Sequence, residues 1–224
     1  DPEWKALPLG VQREPTVLPP PPVGGIEGRI ADGFEDTPAG ALPARAVVSG
    51  EEGGASIRVT AERAASGTHS LKLTDAAGLE NVWQPHMFYV PQMAEGLVRE
   101  SFDVYLEPDS VLYTEWRDTG PYPANIGPSV TFEGDGTVTA SGRVLCILPV
   151  EQWVRVEIEC AVGEDTPPVY TVTLRVGEEE PQRFEELVYT GTEFSELHWL
   201  GFVSTADTRT ASFLDNISIS TVEQ

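Results

Sequence analysis

The sequence predicts an all-β domain, and three features lead to that fold class. Short runs in which apolar and polar residues alternate recur about every 8–15 residues, a spacing typical of sandwiches and barrels. Turn-forming clusters such as Gly134-Asp135-Gly136 separate these runs. The chain also contains 21 glycines and 19 prolines among 224 residues, a share above the roughly 12% of an ordinary domain, which favours turns over helices. We therefore expect a β-sandwich or a β-barrel.

About eleven strands are predicted between residues 56 and 220. They cover Ser56–Thr60, Ser70–Thr74, Val98–Leu106, Ser110–Arg117, Ser129–Phe132, Thr137–Thr139, Val144–Leu148, Trp153–Ala161, Tyr170–Val176, Leu197–Ser204 and Ala211–Ser220. Helical signals are weak and short, at residues 61–66 and 184–189. A chain of 224 residues is long enough to bury a full hydrophobic core in a single domain.

The first 29 residues differ from the rest of the chain. They contain the proline run Pro19–Pro22, and such runs adopt extended polyproline II and stay out of sheet interiors. We predict a Pro- and Gly-rich linker or strap over residues 1–29 and a β domain over residues 30–224. Because the chain opens at Asp1 without Met, we expect it to be processed or cut from a larger protein.

The charge of the chain excludes several classes of partner. Its formal net charge is −22, from 14 Lys and Arg against 36 Asp and Glu. Nucleic-acid binding needs a basic surface for the phosphates, and anionic membrane surfaces attract basic segments. No apolar run approaches the roughly 20 residues of a transmembrane helix. We therefore expect neither nucleic acid nor membrane as a partner.

The two cysteines, Cys146 and Cys160, are predicted to be free, buried thiols. If the strands around residues 149–152 form a hairpin, Cys146 lies opposite residues 153–155 and Cys160 lies opposite residue 141. A disulfide needs Cα atoms within about 7 Å, and this register does not bring the two cysteines together.

Three motifs resemble those of jelly-roll carbohydrate-binding modules and their concanavalin A-like relatives. They are G-F-E at residues 33–35, S-G-T-H-S-L-K-L at 66–73 and F-L-D-N-I at 213–217. The resemblance spans residues 30–219 in outline. It implies a jelly roll of two antiparallel sheets and a polysaccharide or oligosaccharide ligand. It also implies a secreted, extracellular protein with an upstream catalytic domain in a larger chain.

The same resemblance implies a structural calcium ion held by Glu35 and Asp215, with Asp32 and Asp36 as further candidate ligands. The first and last strands of such a jelly roll are neighbours, so Glu35 and Asp215 should lie close together. Two buried like charges are costly unless they are neutralised, and calcium takes six to eight oxygen ligands. The alternative is that these acids cap turns or face water.

The candidate carbohydrate site lies on one face of the strand at residues 110–117. Side chains alternate along a strand, so Leu112 and Trp116 are expected to face the core. Tyr113, Glu115 and Arg117 then point outward. Glu115 and Arg117 could grip neighbouring sugar hydroxyls as a charged pair, or they could be a salt bridge of little energetic weight.

Loop residues are expected to complete this face. Sugar recognition combines aromatic faces with planar polar groups, and loops at the rim of a sheet often carry function. The added candidates are Trp83, His86 and Tyr122, with Tyr89 and Trp199 as further aromatic members. Each of these residues, taken singly, could equally be packing in a core or at an edge.

A catalytic role is the weaker prediction. Jelly-roll glucanases need two carboxylates about 5 Å apart on one strand face, and the nearest segment, Glu157-Ile158-Glu159, lacks a third acid at Ala161. A polysaccharide lyase would need a base beside a group that neutralises a uronate, and His86, Tyr113 and Arg117 could in principle serve. We expect a non-catalytic carbohydrate-binding domain. The alternatives are an accessory domain that packs on a catalytic partner, and a lyase or glycoside hydrolase.

Overall fold

The computed structural model describes residues 29–118, 125–189, 191 and 193–222 of the chain. These residues form fifteen strands and no helix, so none of them belongs to a helix that could cross a membrane. The strands are β1 (Arg29–Asp32), β2 (Val47–Ser49), β3 (Ser56–Thr60), β4 (Ser70–Thr74), β5 (His86–Tyr89), β6 (Gly96–Leu106), β7 (Val111–Arg117), β8 (Ile126–Glu133), β9 (Thr137–Ala140), β10 (Arg143–Ile147), β11 (Val154–Val162), β12 (Val169–Val176), β13 (Gln182–Val188), β14 (Trp199–Ser204) and β15 (Ala211–Thr221).

The strands form two antiparallel sheets that pack face to face as a β-sandwich, which confirms the predicted fold class. The eight-stranded sheet has the order β13-β12-β11-β6-β15-β4-β3, with β1 also paired to β15. The seven-stranded sheet has the order β10-β9-β8-β7-β14-β5-β2. The first and last described strands, β1 and β15, are therefore neighbours, as expected.

The core lies between the two sheets and follows the alternation of the strands. In β11 the side chains of Val154, Val156 and Ile158 are buried, and the residues between them are half-exposed. In β7 the inward side chains Leu112 and Trp116 are completely buried. Complete burial of side chains of this size contributes about 1.5–3 kcal/mol each. The predicted orientations of both strands are therefore confirmed.

Four strands carry little signal in the sequence and were missed. They are the short strands β1, β2 and β5 and the edge strand β13. The helical turn expected at residues 184–189 was wrong, because residues 182–188 form β13, which pairs with β12. β13 is exposed along most of its length and so lacks a buried apolar face. The turn expected at residues 61–66 is also not helical.

The predicted hairpin around residues 149–152 was wrong, because the chain changes sheets there. β10 pairs with β9 in the seven-stranded sheet, so Cys146 lies opposite Val138. β11 pairs with β6 and β12 in the eight-stranded sheet, so Cys160 lies opposite Val98 and Tyr170. Both cysteines are free, as expected; Cys160 is buried, whereas Cys146 is only half-buried. Burial raises the pKa of the Cys160 thiol to about 12.

The predicted linker or strap, residues 1–29, lies outside the described residues except for its last position. The division of the chain at residue 30 stays a prediction.

Candidate functional site

The outward face of the seven-stranded sheet brings together residues that are far apart in the sequence. The strand register sets His86 of β5 beside Val203 of β14, and Val203 beside Tyr113 of β7. The same row continues through Thr131 of β8 to Thr139 of β9. Aromatic and apolar side chains thus lie at one end of the row, and hydroxyl side chains lie at the other.

A second hydrophobic cluster lies on this outward face, separate from the core between the sheets. Phe88, Trp199 and Val203 are buried there. Val47, Val90 and Tyr113 pack against them and are partly buried. All six residues of β14 are consequently buried, both those that face the core and those that face outward.

Aromatic rings on this face form a continuous chain. The ring centres of Trp83 and His86 are 5.4 Å apart, and those of His86 and Phe88 are 6.2 Å apart. Phe88 stacks on Trp199 at 5.5 Å. The guanidinium of Arg117 lies over the Trp199 ring at 4.1 Å from its centre. We call these five residues the aromatic row.

Trp199 lies flat on the sheet because the residue two positions further along β14, on the same face, is glycine. A Cβ atom on Gly201 would come within 1.8 Å of the indole ring, so only glycine allows this placement. Trp199 is 7% exposed, whereas Trp83 at the other end of the row is 40% exposed. Trp83 is therefore the member of the row whose ring is most open to a ligand.

Glu115 and Arg117 form an ion pair beside this row. The Nε–H of Arg117 donates to Oε1 of Glu115 at 2.5 Å. Glu115 is 8% exposed and lies opposite Gly201 and Ser129 in the strand register. The pair therefore holds the Arg117 side chain over Trp199 and neutralises its charge.

His86 and Tyr113 are both uncharged at neutral pH. Burial lowers the pKa of His86, and the nearby Arg117 lowers it further, although a hydrogen bond with the Trp83 backbone acts in the opposite direction. The Nδ1 atom of His86 is buried and has no hydrogen-bond partner among the described residues. Burial, together with the charge of Glu115, raises the pKa of Tyr113 above its ordinary value.

The structure brings five of the six predicted ligand-binding residues to one region. Tyr113, Glu115 and Arg117 point outward from β7 as expected, and Trp83 and His86 join them through the aromatic row. The sixth, Tyr122, lies outside the described residues.

The placement of Tyr89 on this face was wrong. His86 begins β5 rather than lying in a loop, and the alternation of β5 turns Met87 and Tyr89 into the core. The hydroxyl of Tyr89 donates to Asp32 across 3.2 Å. Phe88, which sequence reasoning missed, shares the outward side of β5 with His86, and that same alternation could have identified it.

Glu35, one of the predicted calcium ligands, accepts hydrogen bonds from the turn at residues 65–69. Its Oε1 atom accepts from the backbone N–H groups of Thr68 and His69, each at 2.9 Å. Its Oε2 atom accepts from the Thr68 hydroxyl at 2.9 Å. These bonds lower the pKa of Glu35. Gly67 has a φ of +65°, and a Cβ there would meet the Glu35 carboxylate at 2.3 Å, so the turn requires glycine.

Asp215, the second predicted ligand, accepts from the same turn. Its Oδ2 atom accepts from the N–H groups of Ala65 at 2.8 Å and Ser66 at 3.1 Å. Its Oδ1 atom accepts from the N–H of Asn216 at 2.7 Å. Burial raises the pKa of Asp215 in spite of these bonds. The three motifs therefore meet in space, through hydrogen bonds between two carboxylates and one turn.

Hydrogen-bond donors already occupy the carboxylate oxygens at this corner. All four carboxylate oxygens of Glu35 and Asp215 accept from N–H or O–H donors. Asp32 is buried and bonded to Tyr89, and Asp36 is exposed. The part of the chain that the structure describes contains no group of three or more His, Cys, Asp or Glu side chains placed to hold a metal. Calcium stays a prediction, and the alternative, acids that cap a turn, accounts for the contacts of Glu35 and Asp215.

The fold is shared with proteins that act on or bind carbohydrates. No protein-family model matches the sequence, and no curated protein matches it. An endo-β-1,4-glucuronan lyase from the fungus Trichoderma reesei is 9% identical with a TM-score of 0.55, covering 79% of this chain and 90% of the lyase. An alginate lyase from Aplysia kurodai is 12% identical with the same coverage and TM-score.

A lectin-like domain has the same architecture. The exoplasmic, lumenal domain of VIP36, solved with Ca²⁺ and Man3GlcNAc bound, is 10% identical with a TM-score of 0.53. The match covers 88% of this chain and 89% of that domain. At sequence identities this low, the structural similarity shows the fold alone. This chain is a jelly-roll β-sandwich.

Proposed function

We propose that this chain is a non-catalytic carbohydrate-binding domain, and that the outward face of its seven-stranded sheet binds a polysaccharide. The observation that carries the proposal is the aromatic row from Trp83 to Arg117, which lies on the outside of the sandwich rather than in its core. Aromatic faces pack against the C–H surfaces of sugars, and polar groups beside them bind the hydroxyls. The three structural neighbours bind or act on polysaccharides or oligosaccharides by their descriptions, which supports a carbohydrate ligand.

The face offers a path for an extended chain that crosses the strands. The cross-strand row leads from His86 past Tyr113 to Thr131 and Thr139. Adjacent strands are about 4.8 Å apart, so this row alone extends over roughly 20 Å from β5 to β9. A ligand along this path meets rings first and hydroxyl groups afterwards. A polysaccharide fits such a surface better than a small compact ligand does.

The charge of the face favours an uncharged polysaccharide. The central strands β5, β14, β7 and β8 carry three charged side chains, Glu115, Arg117 and Glu133, beside the neutral His86. Arg117, the one cation among them, is already paired with Glu115. Many of the described basic residues lie instead on the outward face of the eight-stranded sheet: Arg58, Lys72, Arg99, Arg155, Arg175 and Arg183. A polymer of uronates would meet no unpaired positive charge on these four central strands.

The geometry supports binding rather than catalysis. His86 and Tyr113 flank Val203 on strands two apart, a backbone separation of about 9–10 Å, so they do not form a proton-transfer pair. The Nδ1 atom of His86 is buried beneath its neighbours. Glu157 and Glu159, the nearest approach to a hydrolase motif, project from the opposite sheet, and Glu159 is bonded to Arg99.

The proposal places this domain in a secreted protein, appended to a carbohydrate-active catalytic domain. That part rests on the resemblance of the three motifs to carbohydrate-binding modules. The same resemblance implies a structural calcium ion, but the contacts of Glu35 and Asp215 favour the alternative, in which these acids cap the turn at residues 65–69.

Affinity electrophoresis against a panel of polysaccharides tests the proposal. The panel contains the uncharged polymers xylan, galactan, mannan and mixed-linkage glucan, and the anionic polymers alginate, glucuronan and polygalacturonate. We expect retardation by at least one uncharged polymer. Retardation by none of the seven would favour the accessory-domain alternative, and release of unsaturated uronates from an anionic polymer would identify a lyase.

A further inference from the structure

A glutamate lies in the middle of the sandwich, where a charge is least expected. Glu100 is on β6 with its side chain directed between the two sheets, and it is 0% exposed. Its register neighbours on either side are Ile158 of β11 and Ile219 of β15. An ionised carboxylate in such surroundings costs several kcal/mol unless a cation or water compensates it.

The two hydrogen-bond partners of Glu100 come from the opposite sheet. Its Oε1 atom is 2.9 Å from the Thr114 hydroxyl, and its Oε2 atom accepts from the indole N–H of Trp116 at 2.6 Å. Both partners belong to β7. They alternate along that strand with Tyr113, Glu115 and Arg117, so Glu100 holds β7 from behind the proposed binding face.

Among the described residues, no charged neighbour stabilises an ionised Glu100. Burial raises its pKa to about 7, and only the hydrogen bonds from Trp116 and Thr114 act in the opposite direction. Other titratable groups in the interior include the Cys160 thiol on β11, Tyr170 on β12 and the pair of Tyr89 and Asp32. None of these contributes to the pKa of Glu100.

Resting on the function proposed above, we propose that Glu100 is a positioning residue for the binding face: when protonated it holds β7 in place, and loss of its proton weakens polysaccharide binding. On ionisation the proton passes to solvent, and the carboxylate is left in an apolar layer without a cation. The carboxylate must then draw in water or move away. Thr114 and Trp116 follow it because they are bonded to it, and the outward side chains of β7 are displaced with them.

The pH range around 7 isolates this effect from the binding face itself. The pKa of His86 lies below its ordinary value of 6.5, and the pKa of Tyr113 lies above its ordinary value of 10. Both groups are therefore mainly uncharged between pH 6.5 and 8.5. A pH dependence of binding in that range that disappears in Glu100→Gln therefore reports on Glu100.

The experiment compares three proteins in binding the uncharged polysaccharide of the panel that binds most tightly. These are the wild type, Glu100→Gln and Glu157→Gln, measured from pH 6.5 to 8.5. In Glu100→Gln the new side-chain amide can accept from Trp116 and donate to the Thr114 hydroxyl, so it imitates the protonated acid. Glu157 supplies the matched control, because it is a half-exposed glutamate on the outward face of β11. We expect the wild type and Glu157→Gln to lose affinity at least fivefold across this range, and Glu100→Gln to stay constant within twofold.

A wild-type affinity that does not change between pH 6.5 and 8.5 would overturn the proposal, as would a pH dependence that persists in Glu100→Gln. If no polysaccharide binds at any pH, the proposed function fails and Glu100 is tested by itself. The readout is then the NMR resonance of the Trp116 indole N–H in the wild type, which needs no variant. A titration of that resonance near pH 7, accompanied by shifts at Tyr113 and Arg117, supports the positioning role. An indole resonance that does not titrate, or that titrates while residues 113 and 117 stay unchanged, refutes it.

Discussion

The guanidinium of Arg117 lies 4.1 Å from the centre of the Trp199 ring, on the outside of the seven-stranded sheet. The Nε–H of Arg117 donates to Glu115, which holds the guanidinium in place. Gly201 lets the Trp199 indole lie flat beneath the guanidinium. A ligand at this point therefore meets Arg117 and its neighbours, and Trp199 serves as the support underneath. The open ring of Trp83 marks the other end of the same surface.

Replacing Arg117 by alanine should reduce polysaccharide affinity without unfolding the domain. The Arg117 side chain is 31% exposed. An ion pair and a cation–π contact at such a site each contribute about 1 kcal/mol or less to stability. We expect binding to fall about tenfold in an affinity gel while the melting temperature changes by only a few degrees. Arg117→Lys should restore little, because an ammonium lacks the planar fork of donors. An Arg117→Ala protein that no longer folds would show that the pair with Glu115 is structural.

Removal of calcium is expected to leave the stability unchanged. The carboxylates of Glu35 and Asp215 are satisfied by the turn at residues 65–69, so a cation would have to displace existing donors. The measurement is the melting temperature at neutral pH with and without a chelator. A ligand that binds the native state stabilises it, so a melting temperature that falls in the chelator and recovers on adding Ca²⁺ would confirm the calcium prediction instead.

The two thiols should differ in reactivity. Cys160 is buried and its pKa is raised to about 12, whereas Cys146 is only half-buried. The thiolate is the reactive form, so a thiol reagent at pH 8 should modify at most Cys146 in the native protein. The same reagent should count two thiols in denatured, unreduced protein, and a count of zero would mean that the cysteines are bonded to each other.

Because of Glu100, stability should fall as the pH rises from about 4.5 to about 7 and should level off above that. Its folded-state pKa of about 7 lies above the ordinary value of 4.5, so protonation favours the folded state. The stabilising effect is complete below about pH 4.5 and is lost as the pH rises through 7. A pKa difference of this size corresponds to about 3 kcal/mol. Denaturant unfolding between pH 5 and 8.5 should show this loss in the wild type. Equal slopes against pH in Glu100→Gln and the wild type would contradict the assignment.

Local alternation made the outward face of β7 predictable. Leu112 and Trp116 alternate with Tyr113 and Glu115, and one buried face is enough to determine which side chains point outward. The same reasoning applied to β6 would have found Glu100, because it shares its side of the strand with Phe102. The meeting of the three motifs was also predictable, since adjacent first and last strands bring distant segments together.

Long-range pairing was not predictable in the same way. The connection after β10 crosses to the other sheet, but the local sequence is equally typical of a hairpin turn. The predicted partners of Cys146 and Cys160 were wrong for that reason. Strand β5 is four residues long, too short for a clear pattern, and Tyr89 was therefore placed outside rather than in the core. The support of Trp199 by Gly201 depends on the close approach of two side chains in a folded sheet, which no spacing in the sequence reveals.

The most direct test of the central claim compares two tryptophans on opposite sides of the sandwich. Trp83 belongs to the aromatic row, whereas Trp153 packs against Tyr105 on the outward side of the eight-stranded sheet. The measurement is the affinity of Trp83→Ala and Trp153→Ala for the uncharged polysaccharide that the wild type binds most tightly. Our account predicts that Trp83→Ala binds about tenfold more weakly, a loss of about 1.4 kcal/mol, and that Trp153→Ala binds like the wild type. Wild-type affinity in Trp83→Ala, together with a loss of binding in a folded Trp153→Ala, would contradict it and place the site on the other sheet.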